Sequence, residues 1–293
     1  MKKQKNNLII LIIAVVAVFS VAILVVLIYK NRIAADQEKA EPVVTPANVK
    51  TLPVTETLKP NPDTRAEVVV PILMYHHIRD YNDPADSIGT NLSVPPINFK
   101  AQIDYLKNNG YTTITFADFT AFPAKKLPDK PIILTFDDGY NDAYSEAFQL
   151  LKANKQVGTF YLISSYFGKP EHLSREQAKE MSANGMEIGS HTVSHPDLTK
   201  ISATKVAAEL LESKTTLESI ISKSIVSFCY PAGKHNEAVD LAAKNSGYST
   251  ATTTYMAISN TSEDKFTLSR LRINPSDGIN YFADRIQNYK HQE

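Results

Sequence analysis

Two adjacent carboxylates, Asp137 and Asp138, close the run Pro131-Ile132-Ile133-Leu134-Thr135-Phe136, and Gly139 follows them. Farther along, the imidazoles of His191 and His195 lie four residues apart, with Pro196 next in the chain. One carboxylate with two histidines makes a three-ligand site for a divalent metal that keeps a position open for water. The second carboxylate is then free to act as a base on that water. Metal-assisted hydrolysis is the chemistry such a set can perform. Either half alone is a weak sign, because Asp-Asp-Gly is an ordinary turn and most His-x-x-x-His pairs are surface histidines. The two together, each where an apolar run ends, point to a metal.

The spacing carries geometric conditions. Neighbouring residues on a strand face opposite ways, so Asp137 and Asp138 reach one site only if the strand breaks, which Gly139 allows. Residues four apart on a helix share a face, so His191 and His195 are expected on a helical turn that Pro196 ends.

The elements that would position these residues alternate. Apolar runs predict strands over 68–75, 112–116, 132–136, 158–163, 186–189, 226–230, 248–252 and 268–273. Helical spacing and stop signals predict helices over 97–108, 142–154, 174–184, 202–222, 237–246 and 280–289. Strands separated by helices imply a parallel sheet, open or closed into a barrel, with its active site at the C-terminal strand ends. Asp137, Asp138, His191 and the Tyr230-Pro231-Ala232-Gly233 loop all fall at such ends.

The chain ahead of these elements is different in kind. Residues 8–28 are apolar apart from Ser20, long enough to cross a bilayer as a helix of about 20 residues. Lys2, Lys3 and Lys5 precede the run, which favours a cytoplasmic N-terminus and an external remainder. A cleaved signal peptide would have a shorter apolar core of about 7–15 residues, and Ile33-Ala34-Ala35 is a poor cleavage site. Pro42, Pro46, Pro53, Pro60 and Pro62 then punctuate a polar stretch that reads as a spacer. The expected organisation is a cytoplasmic stub and transmembrane anchor over 1–29, an extracellular linker over 30–66 and a catalytic domain over 67–293 at the outer face of the cell membrane. Acidic and basic residues balance at 31 each, so there is no basic field for nucleic acid. The one cysteine, Cys229, cannot form an internal disulfide, and its neighbours Phe228 and Tyr230 suggest a buried thiol.

Thr135-Phe136-Asp137-Asp138-Gly139 and His191-Thr192-Val193-Ser194-His195-Pro196 resemble the first two motifs of the polysaccharide deacetylases, carbohydrate esterase family 4. The likeness extends over residues 67–293. It implies an α/β fold, a distorted (β/α)7-type barrel, and an acetylated glycan as substrate, either peptidoglycan or poly-N-acetylglucosamine. It implies Asp138, His191 and His195 as ligands of one divalent ion, usually zinc, and Asp137 as catalytic base. The implied activity is removal of N-acetyl groups. An O-acetyl esterase with the same site and a glycan-binding domain with a degenerate site are the alternatives. There is no metalloprotease HExxH, and a glycosidase needs two carboxylates flanking the bond rather than adjacent in sequence.

Three departures from the family pattern are informative. The third motif reads Cys229-Tyr230-Pro231-Ala232-Gly233, without the family's arginine. The chain has no tryptophan, and the late stretch Leu268-Ser269-Arg270-Leu271-Arg272-Ile273 has no histidine. With the opening Pro71-Ile72-Leu73-Met74-Tyr75-His76-His77-Ile78, these features are similar to the branch containing the poly-β-1,6-N-acetylglucosamine deacetylases. In that branch an early histidine is the general acid, which points to His76, with His77 the alternative. Tyr230 and the Ala232 N–H are expected near the substrate and its oxyanion, with His235 an outlying candidate and His172 on the surface. Arg270 either pairs with Asp137, keeping that carboxylate ionised, or is a solvated residue at a strand end.

Overall fold

The computed structural model describes residues 67–288. At its centre is a parallel sheet of eight strands. In chain order these are β1 (Ile72–Tyr75), β2 (Thr112–Thr113), β3 (Pro131–Phe136), β4 (Thr159–Leu162), β5 (Glu187–Ser190), β6 (Ser227–Cys229), β7 (Thr250–Thr252) and β8 (Leu271–Arg272). Neighbours run β7-β6-β5-β4-β3-β1-β8, and β2 pairs with the start of β3. β1 and β3 are buried at every residue, as expected of a parallel sheet covered on both faces.

Successive side chains divide the core in two. Leu73, Ile132 and Leu134 pack with Phe148, Leu210 and Leu217 of the surrounding helices. Ile72 and Ile133 face the other way, into a smaller cluster with Phe116, Tyr161, Cys229 and Leu268.

The sheet is a half-barrel of parallel strands, consistent with the expected (β/α) barrel. Thr252 of β7 also forms a parallel bridge with Leu268, ahead of β8. One expectation is corrected: the expected fold placed a transmembrane helix ahead of this domain, but among the described residues no helix is long and apolar enough to cross a membrane. The longest described helix, Ala203–Ile221, carries Lys205, Glu209, Glu212, Lys214 and Glu218. It buries only the stripe Val206, Leu210, Ser213, Leu217 and Ile221. That is the pattern of a helix lying on a sheet. The 8–28 run and the 30–66 spacer lie outside the described residues.

Residues 112–116 also differ from a simple strand. Pairing stops after Thr113, and a helix runs from Phe116 to Ala121. Thr115 accepts from the Asp118 N–H while the Asp118 side chain accepts from the Thr115 N–H. This reciprocal cap starts a helix in a stretch whose β-branched and aromatic residues favour a strand.

Candidate active site

β3 ends at Phe136, and the Asp137 N–H still donates to the Tyr75 carbonyl at 3.0 Å. Asp138 and Gly139 then both turn left-handed, with φ of 73° and 77°. This break lets two adjacent carboxylates face one opening. A Cβ at Gly139 would also come within 2.9 Å of Leu162 Cδ2, which would have to move aside.

His191 follows β5, and its N–H donates to the Leu162 carbonyl at 3.0 Å. The expected helical turn is not present. Thr192 and His195 are left-handed, with φ of 69° and 61°, and the His195 N–H donates to Thr192 Oγ1 at 2.8 Å. The four-residue spacing works through a bent loop that brings the two rings to 4.7 Å, 71° apart.

Asp138 Oδ1 lies 3.3 Å from His191 Nε2 and 3.6 Å from His195 Nε2. Bonds of about 2.0–2.2 Å to nitrogen and oxygen separate tetrahedral ligand atoms by roughly 3.3–3.6 Å, so the trio fits a divalent ion. The His191 tautomer agrees. Its Nδ1 lies 2.7 Å from the Cys229 carbonyl, which can only accept, so Nδ1 carries the proton and Nε2 presents its lone pair. With Nε2 protonated instead, burial pushes the Asp138 carboxyl up, but the hydrogen bond and charge of His191 outweigh this and hold it well below the usual carboxylate range, and a metal ion at Nε2 would take that proton's place. Asp137, His191 and Cys229 form a second possible trio. They fit less well, because both Asp137 oxygens and the Cys229 sulfur are already bound to one guanidinium.

That guanidinium belongs to Arg270, which is wholly buried. Nη1 and Nη2 donate to Asp137 Oδ1 and Oδ2 at 2.7 and 2.8 Å. Nη1 also donates to Thr135 Oγ1 at 2.9 Å, Nε to the Thr253 carbonyl at 2.8 Å, and Nη2 to Cys229 Sγ at 3.2 Å. Burial raises the Asp137 carboxyl, but the charge and hydrogen bonds of Arg270 prevail and keep it below its ordinary range. Asp137 is therefore an anion at neutral pH.

His76 leaves the end of β1 with Nε2 at 3.9 Å from Asp137 Oδ2. Burial lowers its pKa, against the opposing pull of Asp137 and Asp138. His77 points elsewhere. Its Nδ1 is 2.7 Å from Asp142 Oδ2, and its ring stacks on Tyr140 at 3.6 Å. Burial and the neighbouring charge of Asp138 raise the pKa of the Tyr140 hydroxyl. No motif or spacing announced this Asp142–His77–Tyr140 support.

Ala232 is exposed on the rim, in a left-handed turn with φ of 52°. Tyr230 is buried. Its hydroxyl donates to the Phe266 carbonyl at 3.0 Å and its N–H to the Thr252 carbonyl at 3.2 Å. Its side chain is in the helix-facing core, so neither group is offered to a substrate. His235 is held by Asp240 at 3.1 Å with its ring against Tyr230. His172 is half-buried, bonded to the Pro170 carbonyl with its ring beside Tyr140 and Tyr166.

The family model for polysaccharide deacetylases matches residues 124–251. YxkH of Bacillus subtilis (strain 168), named for polysaccharide deacetylases, is 32% identical over 229 residues, 78% of this chain and 79% of the relative. The poly-β-1,6-N-acetyl-D-glucosamine N-deacetylase of Staphylococcus aureus (strain MRSA252) is 27% identical over 188 residues, 56% of this chain and 65% of its own. Among solved structures, the Streptococcus pyogenes deacetylase PplD in complex with acetate superposes with a TM-score of 0.71 at 29% identity. That match covers 76% of this chain and 100% of PplD. The likeness to YxkH runs through most of both chains and takes in both motifs, so the chain belongs to the polysaccharide deacetylase family.

Proposed function

We propose that this protein hydrolyses N-acetyl groups on an N-acetylglucosamine-containing glycan of the cell surface or wall, with its catalytic domain working outside the cytoplasm. One observation carries the reading: two imidazoles converge on one oxygen of Asp138, beside a second carboxylate clasped by Arg270. The Staphylococcus aureus relative, named for poly-β-1,6-N-acetyl-D-glucosamine, supports an N-acetylglucosamine polymer over other acetylated sugars.

Asp138, His191 and His195 would hold a divalent ion, which when bound supplies Lewis-acid polarisation of the acetyl carbonyl and a more acidic water. Asp137, kept ionised by Arg270, takes a proton from the attacking water. The Ala232 N–H donates to the developing oxyanion. His76 gives a proton to the nitrogen as the C–N bond breaks, since an amine anion is a very poor leaving group. Its lowered pKa makes it a stronger acid that is charged over a smaller pH range. The products are acetate and a free glucosamine unit.

The test is acetate release from poly-β-1,6-N-acetylglucosamine, peptidoglycan and O-acetylated xylan, with bound metal measured alongside. Release from xylan alone would overturn the N-deacetylase reading. His191→Ala should lose most of the metal together with the activity. Full metal occupancy in that variant would remove His191 from the ligand set.

His76→Ala should retain fold and metal yet lose amide hydrolysis by roughly 100-fold or more, the usual scale of general acid catalysis. His77→Ala should be milder. On an aryl acetate, whose leaving group hardly needs a proton, the His76→Ala defect should shrink. Equal losses on both substrates would mark His76 as structural.

A further inference from the structure

The loop from His191 to His195 bears two of the proposed ligands, and within it the His195 N–H to Thr192 Oγ1 bond is joined by contacts from outside. Thr192 and His195 both occupy the left-handed region, which residues with a Cβ, and β-branched ones above all, avoid. The loop is gripped from two sides. On the sheet side, the Thr192 and Val193 carbonyls accept from the N–H groups of Ser164 and Ser165 at 3.1 and 3.0 Å. On the helix side the grip is one side chain, Glu209, from the helix Ala203–Ile221. Its Oε2 accepts from the Val193 and Ser194 N–H groups at 2.8 and 2.9 Å, and its Oε1 accepts from Ser194 Oγ at 2.6 Å.

Successive N–H groups that converge on one oxygen form the concave backbone site that elsewhere binds anions. Here the anion is supplied from within the fold. We infer that Glu209 is a positioning residue, whose carboxylate fixes residues 193–194 and so sets the separation of the flanking His191 and His195 rings. It acts through the backbone N–H groups of Val193 and Ser194 and the Ser194 hydroxyl, and touches neither ring. The inference rests on the reading of Asp138, His191 and His195 as the ligand set. It assigns the long helix a part in building the site, beyond covering the sheet. Partners one shell out from a metal's ligands typically govern about 10–100-fold in its affinity, which sets the expected scale.

The experiment is a zinc titration against a chromophoric chelator, run on the metal-free chain and its variants. Glu209→Ala should weaken zinc binding by roughly 10–100-fold, and its deacetylation should recover as zinc is raised. Recovery with metal is not expected of a general folding defect. Glu209→Gln, whose carbonyl oxygen can still accept both N–H groups, should restore most of the affinity. Glu209→Asp keeps the charge but is one methylene too short, so it should fall with Glu209→Ala. It also serves if the alanine variant does not fold. His195→Ala is the control for the underlying reading. If His195→Ala loses zinc while Glu209→Ala and Glu209→Asp bind within about twofold of the unaltered chain, Glu209 is no positioning residue, although the ligand set stands. If His195→Ala binds zinc as tightly as the unaltered chain, the ligand set has failed and the inference with it.

Discussion

Asp137→Asn should keep its metal and lose deacetylation by roughly 100-fold or more, the range found when a general base is removed. The substitution is nearly isosteric. It leaves one oxygen to accept from Arg270 but removes the negative charge and the basic lone pair. Asp138 and the two imidazoles are untouched, so metal content measured on the purified variant should match that of the unaltered protein. Asp138→Asn should do the opposite: it weakens the trio whose oxygen lies 3.3 and 3.6 Å from the histidine nitrogens. If Asp137→Asn empties the site and Asp138→Asn does not, the two roles are exchanged.

The second large effect is expected at Arg270. Arg270→Leu removes the partner of a carboxylate that is itself buried at 3% exposure. Breaking a buried pair from one side costs about 3–5 kcal/mol, a large part of the 5–15 kcal/mol that holds a typical domain together. Thr135, Cys229 and the Thr253 carbonyl lose a donor as well. Unfolding in urea should report the loss directly. The pH dependence of the rate gives an independent reading. The Arg270 charge holds the Asp137 carboxyl down against burial, so removing it lets that pKa rise. The ionised base then persists only at higher pH, and the acid limb of the pH–rate profile moves upward. Arg270→Lys keeps a cation without the two-pronged contact, so it should restore much of the acid limb but less of the stability. An acid limb that stays in place in Arg270→Leu would show that Asp137 ionisation does not set it.

The centre of this site was legible because its chemistry lies in residue types at fixed spacings. Asp137-Asp138-Gly139 and the His191–His195 pair needed no tertiary information to stand out. The strands β1, β3 and β4 were equally plain, since a parallel strand covered on both faces must be an apolar run. The structure differs where a local rule met a stronger one. The Thr115–Asp118 cap turned 112–116 away from a full strand. The histidine spacing matched a helical face, yet the two imidazoles meet through a loop whose left-handed residues no periodicity announces. Tyr230 lies in a motif associated with substrate, but its hydroxyl and N–H are both spent within the fold. Arg270 could be offered only as one of two possibilities, because its partner sits 133 residues earlier in the chain. Glu209 is one glutamate among several on a charged helix surface, and only the path of the neighbouring loop singles it out.

Asp138, Thr192, His195 and Ala232 share a property besides their place on one rim: each holds a Cβ-bearing residue in left-handed backbone. Such residues cost about 1–2 kcal/mol apiece relative to ordinary conformations. The rim therefore works against the stability of the rest of the domain, and glycine or asparagine at these positions would relieve it. Selection for heat tolerance alone would favour such replacements and erode the proposed catalyst, whereas selection for turnover keeps the strain in place. In an engineering campaign on this domain, thermal stability and activity would have to be screened together, because at this rim they pull the sequence in opposite directions.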